Sequence, residues 1–184
     1  TEKVLAERAD AVIVATGATP YVPDIPGAQG ANVITSNDVL TGARTGQHVV
    51  IIDTQGTPPG CVVAEVLADQ GKRVEIVTGL NWVGSDIPGP VWHHLYERLL
   101  GKGVVMSPMT GVSQIGEDFV DVYHVVNTSV ARTIQSVDTV VMAAGGQAND
   151  GQREIADLDH LLEDNAWIKW RPDGVHQGSA GEPR

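Results

Sequence analysis

The sequence predicts an α/β protein with a parallel β-sheet at its centre and an antiparallel β-meander after it. Residues 48–78 contain two short apolar runs that fit buried strands, and the segment between these runs has helical periodicity. Apolar and polar residues then alternate over 112–136, which is the pattern of strands with one solvated face. A chain of 184 residues is long enough for one domain, or for one domain and part of a second.

Charge and cysteine content narrow the classes of function. The chain carries 12 Lys+Arg against 23 Asp+Glu, a net charge of −11 that repels nucleic acid and anionic membranes. No apolar run approaches the roughly 18 residues of a spanning helix. The single cysteine, Cys61, excludes a disulfide or an iron–sulfur cluster held by this chain alone and fits a cytoplasmic protein. Small molecules and other proteins remain as the classes of binding partner that the composition allows.

The N-terminal part is predicted to be one strand and a long connector. Residues 11–15 form an apolar strand that ends at Thr16 and Gly17. The closely spaced prolines that follow exclude a regular helix or a central strand. The connector runs to about Gln47, and the polar residues 36–38 fit the cap of a single helical turn.

Residues 48–78 are predicted to form a βαβ unit. An apolar strand at 48–53 precedes a loop at 54–60, a helix at 61–71 and a second strand at 73–78. The helix ends at Gly71, a typical residue just past a helix C-terminus. A strand that is apolar throughout indicates burial on both faces, so the two strands are expected to be parallel.

The remaining elements follow in order. Helical spacing predicts a helix at 91–100, and a third strand follows at 104–107. The meander has predicted turns at 116–118 and 127–129, and it leads to a final buried strand at 139–143.

The loop of the βαβ unit partly matches the dinucleotide-binding fingerprint of Rossmann-like folds, whose glycines and helix N-terminus hold a diphosphate. Gly60 stands at the third glycine, but Gln55 and Thr57 stand at the first two. The two prolines before Gly60 lack N–H donors, and Asp53 places a carboxylate at the strand end. The pattern predicts weakened or rearranged diphosphate binding.

The end of the second strand leaves two interpretations open. An acidic residue that binds the ribose of NAD is absent, since Thr78 and Gly79 stand there instead. Thr78 could hydrogen-bond a ribose or serve only as a strand-end threonine. Lys72 and Arg73 lie at the start of the strand, which is the wrong end for the 2′-phosphate of NADP.

Three segments together resemble a known family. Residues 12–27 and 137–150 look like the two ATG-type strands of flavoproteins with two dinucleotide domains. Residues 51–79 between them are similar to the nucleotide-binding insert of the trimethylamine, dimethylamine and histamine dehydrogenase group. This group belongs to the Old Yellow Enzyme-related NADH:flavin oxidoreductases, near 2,4-dienoyl-CoA reductase.

The resemblance implies a piece of a longer flavin-dependent oxidoreductase. In that group an N-terminal catalytic barrel carries FMN and a 4Fe-4S cluster precedes two nucleotide-binding-like domains. Residues 48–136 would then be the Rossmann-like insert, and 1–47 with 137–184 part of the outer half. The barrel is absent here, so no catalytic or metal-binding residue is assigned. The parent is expected to be a cytoplasmic homo-oligomer or to have an electron-transfer partner.

The resemblance also implies the ligand. ADP, bound tightly or as a vestigial site, is favoured; NAD(P)H binding and a ligand-free structural domain are the alternatives. FAD is not assigned, because Ser179 replaces the aspartate of the family's late motif over 175–184. The expected nucleotide contacts are Thr16, Gly17, Asp53, Thr54, Gln55, Gly56, Gly60, Thr78, Gly79, Ala144 and Gly145.

Overall fold

The structure, a computed structural model, describes residues 17–149, 168–171 and 174–177. Residues Thr19–Gln147 form one compact unit, and the other described residues belong to a second. Strands β1 (Ala18–Pro20) and β10 (Gly146–Ala148) pair with each other. In the second unit, β11 (Ile168–Arg171) and β12 (Gly174–Gln177) form an antiparallel pair. The predicted strand at 11–15, Thr16 and most of the late motif lie outside the described residues.

A parallel sheet of five strands is the centre of the large unit, as predicted. The strand order is β2-β9-β3-β4-β5, and every neighbouring pair is parallel. The strands are β2 (Val33–Thr35), β3 (His48–Asp53), β4 (Arg73–Val77), β5 (Val105–Ser107) and β9 (Thr139–Ala143). All six residues of β3 are buried, which explains its wholly apolar core sequence. Strand β2 was not predicted, because it lies within the connector.

Within residues 17–149, three helices accompany the sheet: α1 (Ser36–Leu40), α2 (Pro58–Asp69) and α3 (Gly89–Gly101). Helix α2 begins at Pro58 and not at residue 61 as predicted, since proline suits the first helical positions, where no N–H partner is needed. Helix α1 is capped by Thr35, not by residues 36–38 as predicted. Thr35 and Asp38 exchange hydrogen bonds in a capping box.

The predicted meander is confirmed as an antiparallel sheet of β6 (Thr110–Ile115), β7 (Phe119–His124) and β8 (Asn127–Gln135). The second turn was placed wrongly, because it lies at Val125 and Val126 and not at 127–129. The polar residues at 127–129 lie within β8, where the register shifts and Asn127 accepts a hydrogen bond from the Ser129 N–H. Their turn-forming chemistry therefore produces a bulge and not a reversal.

The core has two parts, one on each face of the parallel sheet. Val49 and Ile51 pack with the helices, whereas Val50 and Ile52 pack with the meander. This alternation follows from the two-residue period of a strand. The βαβ unit is thus held from both sides, and the carboxyl ends of its strands are fixed in place.

Candidate functional site

The candidate site is the carboxyl edge of the parallel sheet, between β3 and β9. From β3 the chain passes through α2 to β4 on one side, while β9 lies on the other side of β3. This is the topological switch point at which open α/β sheets bind ligands. Asp53, the last residue of β3, is paired with Ala143, the last residue of β9. We call the space beyond these two strand ends the crevice.

Asp53 is the buried acidic group of the crevice. Its residue is 1% exposed, and its Oδ1 accepts hydrogen bonds from the Gln55 N–H at 3.0 Å and the Gly56 N–H at 2.9 Å. Its Oδ2 is buried without a hydrogen-bond partner among the described residues. Burial raises the pKa of Asp53, and the two backbone hydrogen bonds lower it less. The carboxyl group therefore occupies two donors of the loop.

The first turn of α2 offers few further donors. Pro58 and Pro59 fill the first two helical positions and have no N–H. Gly60 follows, and a Cβ there would lie 3.3 Å from both Cβ and Cγ of Asp53. Gly60 is thus in close packing register with β3, while the helix N-terminus lacks half of its usual free amides.

The segment after β4 folds over the loop. The Asp86 N–H donates to the Gly56 oxygen at 3.0 Å. Gly56 has φ +66°, and a Cβ there would lie 2.3 Å from Ser85 Oγ and 2.8 Å from Leu80 Cδ1. Gly56 is therefore required both for its left-handed conformation and for the close approach of this segment. No local sequence pattern predicted that the segment after β4 covers the loop after β3.

Thr78 and Gly79 lie at the carboxyl end of β4, as predicted, but their exposure differs. Thr78 is 1% exposed, and its Oγ1 accepts a hydrogen bond from the Leu80 N–H at 3.3 Å. Gly79 is exposed, and a Cβ there would lie 3.6 Å from Val125 Cγ1. The structure thus presents the Gly79 backbone, beside the β7–β8 turn, at the place where a ribose binds in Rossmann-like folds.

Gln55 lies across the crevice toward β9. Gly145 has φ +77°, and a Cβ on it would stand 2.3–2.5 Å from the Gln55 side-chain amide. Gly145 and Thr54 are exposed, whereas Ala144 is buried. The predicted residues Asp53 to Gly60 and Ala144 to Gly145 are therefore neighbours. Gly17 belongs to the other unit, and Thr16 lies outside the described residues.

Positive charge is absent from the loop. Among residues 17–149, no Lys or Arg makes a hydrogen bond or ion pair with residues 53–60 or 144–145. Arg132 reaches Ser107 Oγ at the carboxyl end of β5, but it forms an ion pair with the buried Glu75. Lys72 donates to the oxygens of Thr45 and Gly46, before β3 begins.

Three other features of the described residues bear on function. Among the described residues, no three His, Cys, Asp or Glu side chains group into a metal site. Within that same part of the chain, no helix is both long and apolar enough to cross a membrane. Cys61 is buried, and burial, with the nearby Asp53 carboxylate, raises its pKa to about 12. Its thiol is a core group and not a nucleophile.

This parallel sheet, with its switch-point crevice and inserted meander, defines a nucleotide-binding domain. Residues 2–169 match the family model described as pyridine nucleotide-disulphide oxidoreductase, and the chain belongs to this family. The predicted α/β, Rossmann-like fold is thereby confirmed.

Among curated relatives, the chain is 30% identical over 176 residues to N,N-dimethylglycine/sarcosine dehydrogenase of Chromohalobacter salexigens, covering 90% of this chain and 24% of that protein. Among solved structures, a 6-hydroxypseudooxynicotine amine oxidase from Pseudomonas geniculata N1 is 26% identical, with TM-score 0.69, over 86% of this chain and 25% of that one. Histamine dehydrogenase from Rhizobium sp. 4-9 is 24% identical, with TM-score 0.67, over 81% of this chain and 24% of that one. The resemblance to the trimethylamine and histamine dehydrogenase group is confirmed. The chain spans about a quarter of the length of these three proteins.

The family implies FAD or NAD(P), whose diphosphate would lie at the loop after β3. The glycine packing at Gly60 fits such a group. The donor set does not, because Asp53 already accepts from the amides of Gln55 and Gly56, and no Lys or Arg among residues 17–149 binds the loop. A diphosphate can therefore use this loop only after the Asp53 carboxyl group has left it.

Proposed function

We propose that the chain is the nucleotide-binding region of a flavin-dependent amine dehydrogenase-like oxidoreductase, and that its crevice holds an adenine nucleotide of the ADP type without exchanging NAD(P)H. The observation that carries the proposal is the Asp53 carboxyl group, which takes the Gln55 and Gly56 amides at the switch point. Rapid exchange of a dinucleotide needs free, preorganised donors at this place. A nucleotide that stays bound, or a vestigial site, does not need free donors at this place.

The proposal places the chemistry outside this chain. No described side chain in the crevice combines exposure with a role as acid, base or nucleophile, since Asp53, Cys61 and Thr78 are all buried. The relatives are about four times as long, which leaves room in the parent for an FMN-bearing catalytic barrel and a 4Fe-4S cluster. Amine oxidation would then occur at that flavin, and the present chain would supply nucleotide binding and structural support.

Calorimetric titration and thermal shift with ADP, NADH, NADPH and FAD test the proposal. A ligand at about 100 times its dissociation constant raises the free energy of unfolding by about 2.7 kcal/mol. We expect selective stabilisation by ADP. A stronger response to NADH or NADPH would favour the alternative of a hydride-transfer domain, as in dienoyl-CoA reductase-like enzymes. A folded chain with no response would favour a ligand-free structural domain.

A glycine variant separates ligand binding from packing. In Gly60→Ala the added methyl group presses on Asp53 and on the Ala143 Cβ, 3.4 Å away, so the variant should lose ADP affinity as well as stability. Gly89→Ala is the matched control, because Gly89 also lies in the first turn of a helix but has open space around it. Equal ADP affinity in the two variants would argue against a nucleotide in the crevice.

A further inference from the structure

We infer that the Asp53 carboxyl group, together with the Gln55 side chain, is an internal plug that makes the crevice reject ligands with a bridging diphosphate. The inference rests on the proposed function and names the class of nucleotide that the site accepts. It assigns the selectivity to two side chains of the loop itself.

The plug is built from contacts already present in the chain. Asp53 Oδ1 takes the two loop amides at 2.9–3.0 Å, and its carboxyl carbon lies against Gly60 in the first turn of α2. Oδ2 is buried and has no hydrogen-bond partner within the described part of the chain, so no contact seen there compensates its burial. A carboxylate with two backbone N–H donors is the arrangement that a phosphate oxygen would otherwise have.

The second part of the plug lies between β3 and β9. The Gln55 amide stands within 2.5 Å of the position of a Cβ on Gly145, so it covers the backbone there. A dinucleotide must pass its diphosphate over this loop to reach both sides of the switch point. The Gln55 side chain thus lies where the diphosphate would pass, and the Asp53 carboxyl group already binds the loop amides that would hold it.

The geometry discriminates between two kinds of adenine nucleotide. In NAD(P)H the diphosphate joins two nucleosides, so it has to lie along the loop. In ADP the diphosphate is terminal, and it can turn toward water while the adenosine lies at the exposed Gly79 edge. Occupied loop amides therefore penalise NADH more than ADP.

The test is the ratio of NADH to ADP affinity in the full chain, measured by calorimetry for the wild type and Asp53→Ala. Freeing two amides restores two hydrogen bonds to phosphate, so we expect the ratio to rise at least about tenfold. Asp53→Asn keeps the acceptor for both amides and removes the charge, so its ratio should rise less than that of Asp53→Ala. Gln55→Ala, at an exposed position, should raise the ratio less than Asp53→Ala does.

The outcomes separate this inference from the proposed function. If the wild type binds ADP but Asp53→Ala gains no NADH affinity, the plug is wrong and the proposed function stands. If the wild type binds neither and Asp53→Ala binds NADH, the plug is supported although the ADP site is not. If neither chain binds any adenine nucleotide, or if wild-type NADH affinity equals that for ADP, both ideas fail.

A second measurement covers the case in which Asp53→Ala does not fold. The amide resonances of Gln55 and Gly56 report directly on the plug by nuclear magnetic resonance of the wild type. Millimolar NADH should leave both resonances and their slow hydrogen exchange unchanged. Shifts of these two amides at micromolar NADH would overturn the inference.

Discussion

Gly56→Ala is the substitution that most directly tests the packing of the loop. Its φ of +66° gives any Cβ-bearing residue a penalty of about 1–2 kcal/mol. The added methyl group would also stand 2.3 Å from Ser85 Oγ and 3.0 Å from the Ser85 backbone nitrogen, so overpacking adds about 1–3 kcal/mol. We expect the free energy of unfolding, measured by urea denaturation, to fall by about 2–5 kcal/mol. A fall of about 3 kcal/mol would lower Tm by roughly 6–12 °C.

Gly71→Ala is the matched control for backbone strain alone. Gly71 has φ +75° and open space where its Cβ would stand, so only the penalty of about 1–2 kcal/mol applies. The double variant Gly56→Ala/Ser85→Ala removes the nearest atom and should recover part of the excess. Equal losses in Gly56→Ala and Gly71→Ala would refute the close approach of residues 79–88 to the loop.

Three further predictions concern charge and the core thiol. The hydrogen bond from Arg98, with Lys102, lowers the pKa of Glu65 to about 2, so the stabilisation is complete above pH 4.5 and is lost as pH falls toward 2. Because Arg98 is half exposed, Glu65→Gln should cost only about 1 kcal/mol at pH 7, and denaturation curves of variant and wild type should converge near pH 2. Arg132→Met leaves the buried Glu75 without its cation and should cost about 2–3 kcal/mol, most of which Glu75→Gln in the same chain should restore; full additivity would contradict the pairing. Cys61 should react with a thiol reagent at least about 100-fold more slowly in the native chain than in urea, and fast native labelling would contradict its burial.

The sequence predicted the central fold because its signals are local and strong. The four middle residues of strand β3 are all apolar, and only a strand covered on both faces needs such a run. Strand β2 could not be predicted, because its three residues become a strand only by pairing with β9, far along the chain. The turn at Val125 and Val126 was missed for a similar reason, since two valines carry no turn signal and the register alone sets the reversal.

The candidate site was predictable in its parts but not in its arrangement. The prolines and Asp53 indicated a weakened diphosphate loop from residue type alone. The hydrogen bonds of Asp53 to the loop amides are local, but the cover over Gly56 depends on how the segment after β4 folds back. The nucleotide contacts themselves remain predictions.

The pairing of β1 with β10 bears on how such a chain evolves. The large unit begins at Thr19 and ends at Gln147, in two strands that are hydrogen-bonded neighbours. The Tyr21 N–H donates to the Gly145 oxygen, so the two ends leave the unit side by side. A folded module with adjacent ends can be inserted into or deleted from a host gene without changing the gap that the host must bridge. Changes inside the unit therefore leave the distance between the points at which the chain enters and leaves it unaltered.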